Sequence, residues 1–265
     1  MKRPFPPPAA GSTRVACSFF LVAAAAATAL NGASGIRPAT RAGQSPLEQS
    51  RQMLVVVTDG WESVSGTLGR FDRPNVSAAW RRVGGPVPVA VGRNGLAWGR
   101  GLQVETADGP VKKEGDGKAP AGVFRLVEVF GQTAAPPAGL AMPYRFLRDN
   151  VECVDDVHSA HYNTLVARQQ VDRVDWTSSE KMWREPLYKW GVVVAHNSGV
   201  PQPAGGSCIF LHIWKGPAAG TAGCTAMPEA ALVETIEWLN AEKGPVVVQL
   251  PRAEYERLKR AWQLP

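Results

Sequence analysis

Five short apolar runs, rich in β-branched residues, dominate the chain: QMLVVVT at 52–58, GVFRLVEVFG at 122–131, WGVVVAH at 190–196, CIFLHIW at 208–214 and PVVVQL at 245–250. Each has strand length and is bounded by clusters of Gly, Pro, Asn and Asp, which predicts strands rather than helices. A helical period shows only near the end. Leu232, Val233, Ile236 and Leu239 follow Pro228 and Glu229, and Tyr255, Leu258 and Trp262 follow Pro251. The pattern predicts a mainly β (α+β) fold with a few helices, two of them C-terminal to Cys224. There is no internal repeat, so one domain is expected over 51–265. The stretches 133–150 and 171–185 read as long loops, where a groove is commonly built.

The charge is unevenly placed. The formal net charge is +6, but Lys2, Arg3, Arg14, Arg37 and Arg41 all precede the first acidic residue, Glu48, which leaves 24 basic against 23 acidic residues in the remainder. A nearly neutral body lacks the positive excess that a phosphate backbone demands, so no nucleic-acid partner is expected. The basic start introduces VACSFFLVAAAAATAL, 16 uncharged residues from Val15 to Leu30, followed by small residues. This is the layout of a secretory signal, expected over 1–33, and any membrane contact would come from that segment left uncut. The following GASGIRPATRAGQSP reads as a disordered tether at 34–50. Export to the periplasm or cell envelope is the expectation.

In IFLHIWKGPAAGTAGCTAMPE, from Ile209 to Glu229, alternation puts Cys208, Phe210, His212 and Trp214 on one face of a strand and Ile209, Leu211 and Ile213 on the other. The aliphatic face belongs to the core, which turns His212 to the opposite side. Cys208 lies four residues along the strand, about 13 Å away, too far to exchange a proton with His212. Cys224 is free of that restriction, because KGPAAGTAG can return the chain to the ring. Thr225 is expected to cap a helix beginning near Met227 to Glu229. Cys224 would then lie before a helix N-terminus, where a thiolate is stabilised. Gly223 would allow a tight turn with inward N–H groups for an oxyanion. The residues themselves leave the plainer reading open: a hydrogen-bonded histidine and a packed or paired cysteine.

LHIWKGPAAGTAGCTAM resembles the active-site segment of the L,D-transpeptidases, exported enzymes that crosslink peptidoglycan through a cysteine. His212, Thr221, Gly223 and Cys224 match that pattern: a strand histidine, a spacer, then Ser/Thr, any residue, Gly and Cys. KKEGDGKAPAGVFRL, Lys112 to Leu126, resembles the family's Gly-rich approach to a central strand. Many members carry a histidine before the Gly-Cys pair and an arginine two residues after the cysteine, where this chain has Ala222 and Ala226. The resemblance implies a β-sandwich-like catalytic fold, Cys224 as nucleophile and His212 as base; Gly223 and Thr225 join the catalytic set through the turn and the helix cap read above. The substrate would be a peptidoglycan stem peptide, with no cofactor and no metal, and the protein would be a monomer. His196, Asn197, Trp214 and Thr221 are candidates for substrate contact. Hydrolysis of the same acyl-enzyme (carboxypeptidase or endopeptidase activity) and a non-catalytic peptidoglycan-binding module are the alternatives.

Export also bears on the cysteines. Besides Cys17 the chain holds Cys153, Cys208 and Cys224. If Cys224 stays free for catalysis, Cys153 and Cys208 are left to pair in an oxidising compartment, the alternative being two separate buried thiols.

Overall fold

In the computed structural model, which describes residues 45–103 and 108–265, all five runs form strands. The strands in chain order are β1 (Gln52–Thr58), β2 (Ser65–Asp72), β3 (Arg81–Ala90), β4 (Leu96–Trp98), β5 (Ala119–Gly131), β6 (Tyr144–Phe146), β7 (Val151–Val154), β8 (Leu165–Ala167), β9 (Ser179–Lys181), β10 (Trp190–Val194), β11 (Phe210–Ile213), β12 (Thr225–Met227) and β13 (Val246–Pro251). The two α-helices, α1 (Glu229–Trp238) and α2 (Arg252–Trp262), both follow Cys224.

Ten strands share one large sheet, ordered β10-β11-β12-β3-β2-β1-β13-β5-β4 with β6 added on β5, and the path returns on itself because β10 also pairs with β5. The long β5 makes this possible. Its residues 122–125 pair with β13 and its residues 126–131 with β10, so one strand passes from one wall to the other, as corner strands of sandwiches do. Between the walls lies a single apolar cluster that takes Leu54 and Val56 from β1, Leu68 from β2, Phe124 from β5, Val192 from β10, Leu211 from β11 and Val248 from β13. Each such side chain contributes about 1.5–3 kcal/mol when fully buried. Helix α1 adds Leu232 and Ile236 to this cluster, and α2 adds Leu258 and Trp262.

A second apolar cluster sits on the His212 side of β11. Phe130, Met182, Tyr188 and Phe210 pack there with Cys153, Cys208 and Cys224. Phe130, Tyr188 and Phe210 meet edge to face with ring centroids 5.2–5.7 Å apart, a geometry worth about 0.5–1.5 kcal/mol per pair beyond burial. A small sheet, β8-β7-β9, covers this cluster. It is tied down by a disulfide between Cys153 on β7 and Cys208 just before β11, with α-carbons 5.9 Å apart.

Two expectations about the N-terminal part meet different fates. The signal segment at 1–33 lies outside the described residues. Of the tether expected at 34–50, residues 34–44 also lie outside the described residues, whereas 45–50 is docked: Leu47 is fully buried, and the buried Arg73 donates from Nε to Ser50 O (2.8 Å) and from Nη2 to Leu47 O (2.6 Å). Ser45 Oγ donates to Trp262 O (3.0 Å), which stitches the same stretch to the end of α2. Composition is a poor guide over 45–50, because one leucine and three side-chain hydrogen bonds to backbone carbonyls suffice to dock a Ser- and Gln-rich segment. Among the described residues no helix is long and apolar enough to cross a membrane.

Candidate active site

β11 and β12 run parallel with Leu211 opposite Thr225 and His212 opposite Ala226. Side chains alternate, so Cys224, Ala226, Phe210 and His212 share one face. That face opens into a cleft of about 400 Å³ lined by Cys224, His212, Gly223 and Thr221, together with Tyr188 and Glu180.

Cys224 is the one free cysteine among the described residues, and it is buried. Its sulfur receives the Phe210 N–H (3.3 Å) and its S–H donates to Cys208 O (3.5 Å). Burial pushes the thiol well above the ordinary cysteine range, and the nearby Glu180 charge pushes the same way. The helix-terminus expectation is therefore corrected. Between Cys224 and α1 lies the strand β12, and α1 begins after Pro228 with no side-chain cap. Thr225 lies on the opposite face, buried, with its hydroxyl on Gln249 Oε1 (2.7 Å), so it neither caps a helix nor enters the cleft. The resting sulfur is a neutral thiol.

His212 is 7% exposed. Nδ1 lies 2.7 Å from Ile213 O, and since a carbonyl only accepts, Nδ1 carries the proton and Nε2 keeps its lone pair. Burial lowers its affinity for a further proton. Tyr188 packs edge-on against the ring with centroids 5.3 Å apart. A neutral imidazole in the accepting tautomer thus shares a cleft with a neutral thiol.

Thr221 works on the turn that delivers Cys224. Its hydroxyl donates to Cys224 O (2.6 Å) and accepts from Gly223 N–H (3.1 Å). The Gly223 N–H is thereby occupied, which corrects the expectation that it faces an oxyanion. A Cβ at Gly223 would approach Ile209 Cδ1 and Lys118 O to 3.3 Å, so the close packing there favours glycine.

The other expected contacts lie elsewhere. His196 is 1% exposed and holds a loop, accepting Arg100 N–H at Nδ1 (3.2 Å) and donating from Nε2 to Gly205 O (3.0 Å). Asn197 bonds Gln202 and Gly206 within the same loop. Trp214 is half-buried, and its backbone N–H donates to Met227 O (3.0 Å). None of the three lines the cleft, although Ser207 and Cys208 from the segment after β10 and Lys215, Thr221 and Gly223 from the turn after β11 do.

Several cleft residues were not anticipated. Glu180 on β9 accepts from Tyr188 Oη–H (2.7 Å) and is pushed up to about 7, by burial first and by the charges of Asp155, Glu114 and Glu185 next, against the pull of the tyrosine bond. Arg93 and Lys215 add cations. Lys112, also in the cleft wall, is neutralised by Asp116 (2.6 Å). Glu180 and Glu185 stand at the end of the 171–185 stretch suspected of building a groove, and Lys112 opens the Gly-rich segment. Those were the available signals.

A family model for the L,D-transpeptidase catalytic domain (YkuD) matches residues 70–248. The chain belongs to the L,D-transpeptidase family. The match begins on β2, well before the Gly-rich segment, and takes in every strand from there into β13. Its function is of the general L,D-transpeptidase type, the peptidoglycan-directed activity of that family. No curated protein and no solved structure was found to match the chain. As an L,D-transpeptidase it departs from the common pattern at Ala222, which is exposed, and at Ala226, which is buried opposite His212.

Proposed function

We propose that the protein is exported and transfers acyl groups between peptidoglycan stem peptides through a thioester on Cys224. The observation that carries this reading is the meeting of a free thiol and an imidazole with Nε2 unprotonated, on adjacent strands facing one cleft. The thiol proton leaves Cys208 O for His212 Nε2 as sulfur attacks the carbonyl after the third residue of the stem. The imidazolium then protonates the departing D-alanine amine. Because both groups start neutral, charge appears only as the bond forms, and the burial of the two groups penalises it unless the substrate is in place. With alanine at 226, Arg93 on the cleft rim is a candidate partner for the donor's terminal carboxylate; its backbone N–H is fixed on Thr221 O (2.8 Å).

Incubation with disaccharide tetrapeptides and mass spectrometry of the products tests the reading. Crosslinked dimers are expected, with a transient acyl-enzyme on Cys224. Tripeptides alone would make the protein a hydrolase, and an unchanged substrate with folded protein would make it a binding module.

A further inference from the structure

Glu180 is placed by a continuous covalent and hydrogen-bonded path. It stands directly across the β7–β9 ladder from Cys153, Cys153 is bonded to Cys208, and Cys208 O accepts the Cys224 thiol. Its Oε2 accepts from Tyr188, the ring that packs on His212. Among the described residues its Oε1 takes no hydrogen bond, and the side chain lines the same cleft as Cys224. Asp155, which also lines the cleft, keeps a buried Oδ1 with no hydrogen-bond partner among the described residues. A carboxylate oxygen left without a donor beside a nucleophile is open to a donor brought by a ligand.

The acyl-transfer reading supplies such a donor. The acceptor amine is an ammonium at neutral pH and must lose a proton before nitrogen can attack the thioester. His212 alone would have to strip the ammonium and then collect the second proton. Resting on that reading, we infer that Glu180 binds the acceptor's ammonium in the cleft and takes its first proton, which makes it a catalytic residue of the second half-reaction. The ammonium gives one proton to Glu180 and becomes a free amine. Its lone pair forms the C–N bond, and the C–S bond breaks with its electron pair going to Sγ. The second nitrogen proton passes to His212 Nε2 and from there to Sγ, restoring the thiol, and Glu180 releases its proton to water. Burial and the charges of Asp155, Glu114 and Glu185 strengthen Glu180 as a base, while the Tyr188 hydroxyl moderates it. The same negative surroundings favour a cation over a neutral nucleophile.

The test is how one acyl-enzyme divides between amine and water. Wild-type protein and the variants E180Q and E180D are acylated with a stem tetrapeptide and offered either Nα-acetyl-lysine amide, which is cationic, or methoxyamine, which is uncharged at neutral pH. The ratio of aminolysed to hydrolysed product is read by mass spectrometry, and it is independent of how much variant protein folds. E180Q is expected to lower the ratio about tenfold or more for the lysine amine, on the scale of a lost proton acceptor, with little change for methoxyamine and partial recovery in E180D. A ratio unchanged by E180Q, or lowered equally for both amines, would overturn this inference alone. Failure of the wild-type protein to form any acyl-enzyme would overturn the acyl-transfer reading and this inference with it.

Discussion

Removing the Cys153–Cys208 bridge should cost the domain much of its stability. The two cysteines are 55 positions apart, and the chain-entropy relation for a loop of that length gives about 4 kcal/mol. Both sites are buried, 2% and 4% exposed, so the variant C153A/C208A adds a small packing loss of about 1 kcal/mol for the missing sulfur atoms. For a domain of this size each kcal/mol shifts the melting temperature by about 2–4 °C, so a fall of about 10 °C or more is expected. Differential scanning calorimetry of the oxidised protein, the protein with reductant and the double variant makes the comparison, and the double variant should melt about 2–4 °C below the reduced protein because of its packing loss. A double variant melting within about 3 °C of the oxidised protein would refute the reasoning, since the unfolded chain would then gain little freedom from the lost crosslink.

Other outcomes are expected from the site. C224A should abolish both turnover and covalent capture by a carbapenem-type β-lactam while leaving the circular dichroism spectrum unchanged; a mass adduct on the variant would remove Cys224 from the mechanism. H212A should slow acylation by about 100-fold or more. Because burial lowers the imidazole's proton affinity, the acid limb of the wild-type acylation profile should fall below the ordinary histidine range, and a limb at or above that range would contradict the assignment. E180Q should be more stable than wild type at alkaline pH: the folded carboxyl titrates near 7 and the unfolded one near 4.5, so wild type loses stability as pH rises through that window and the glutamine does not. The gap in urea melts should grow from near zero at pH 4 to as much as about 3 kcal/mol at pH 8, and a gap independent of pH would count against the raised carboxyl.

The strands that could be read in the sequence are those whose residues are apolar on one or both faces. Two of the longest ladder partners escaped. In β2, SGTLGRFD, and β3, RRVGGPVPVA, burial is confined to a few positions such as Leu68, Val87 and Val89, while Gly and Pro break the pattern. Their extended form comes from pairing with each other and with β1, which is tertiary information. His212 was legible because alternation separates it from an aliphatic face. Thr225 was misread because β12 is only three residues long, and its pairing with β11 and β3, not its composition, makes it a strand. Glu180 and Tyr188 come from a segment with no local pattern. The pairing of β9 with β7, pinned by the disulfide, carries Glu180 to the thiol, and Tyr188 arrives two residues before β10, the ladder partner of β11.

The S–H bond to Cys208 O has a consequence for chemical durability. Peroxides and small disulfides react with thiolates, and a buried sulfur that keeps its proton offers them little to attack. Sulfenic acid is therefore expected to accumulate on it slowly in an oxidising medium. On the proposed acyl-transfer reading, the sulfur becomes a strong nucleophile only in the presence of a carbonyl that the cleft has admitted and of the imidazole beside it. Substrate and oxidant are thus told apart by what each must do to the same proton.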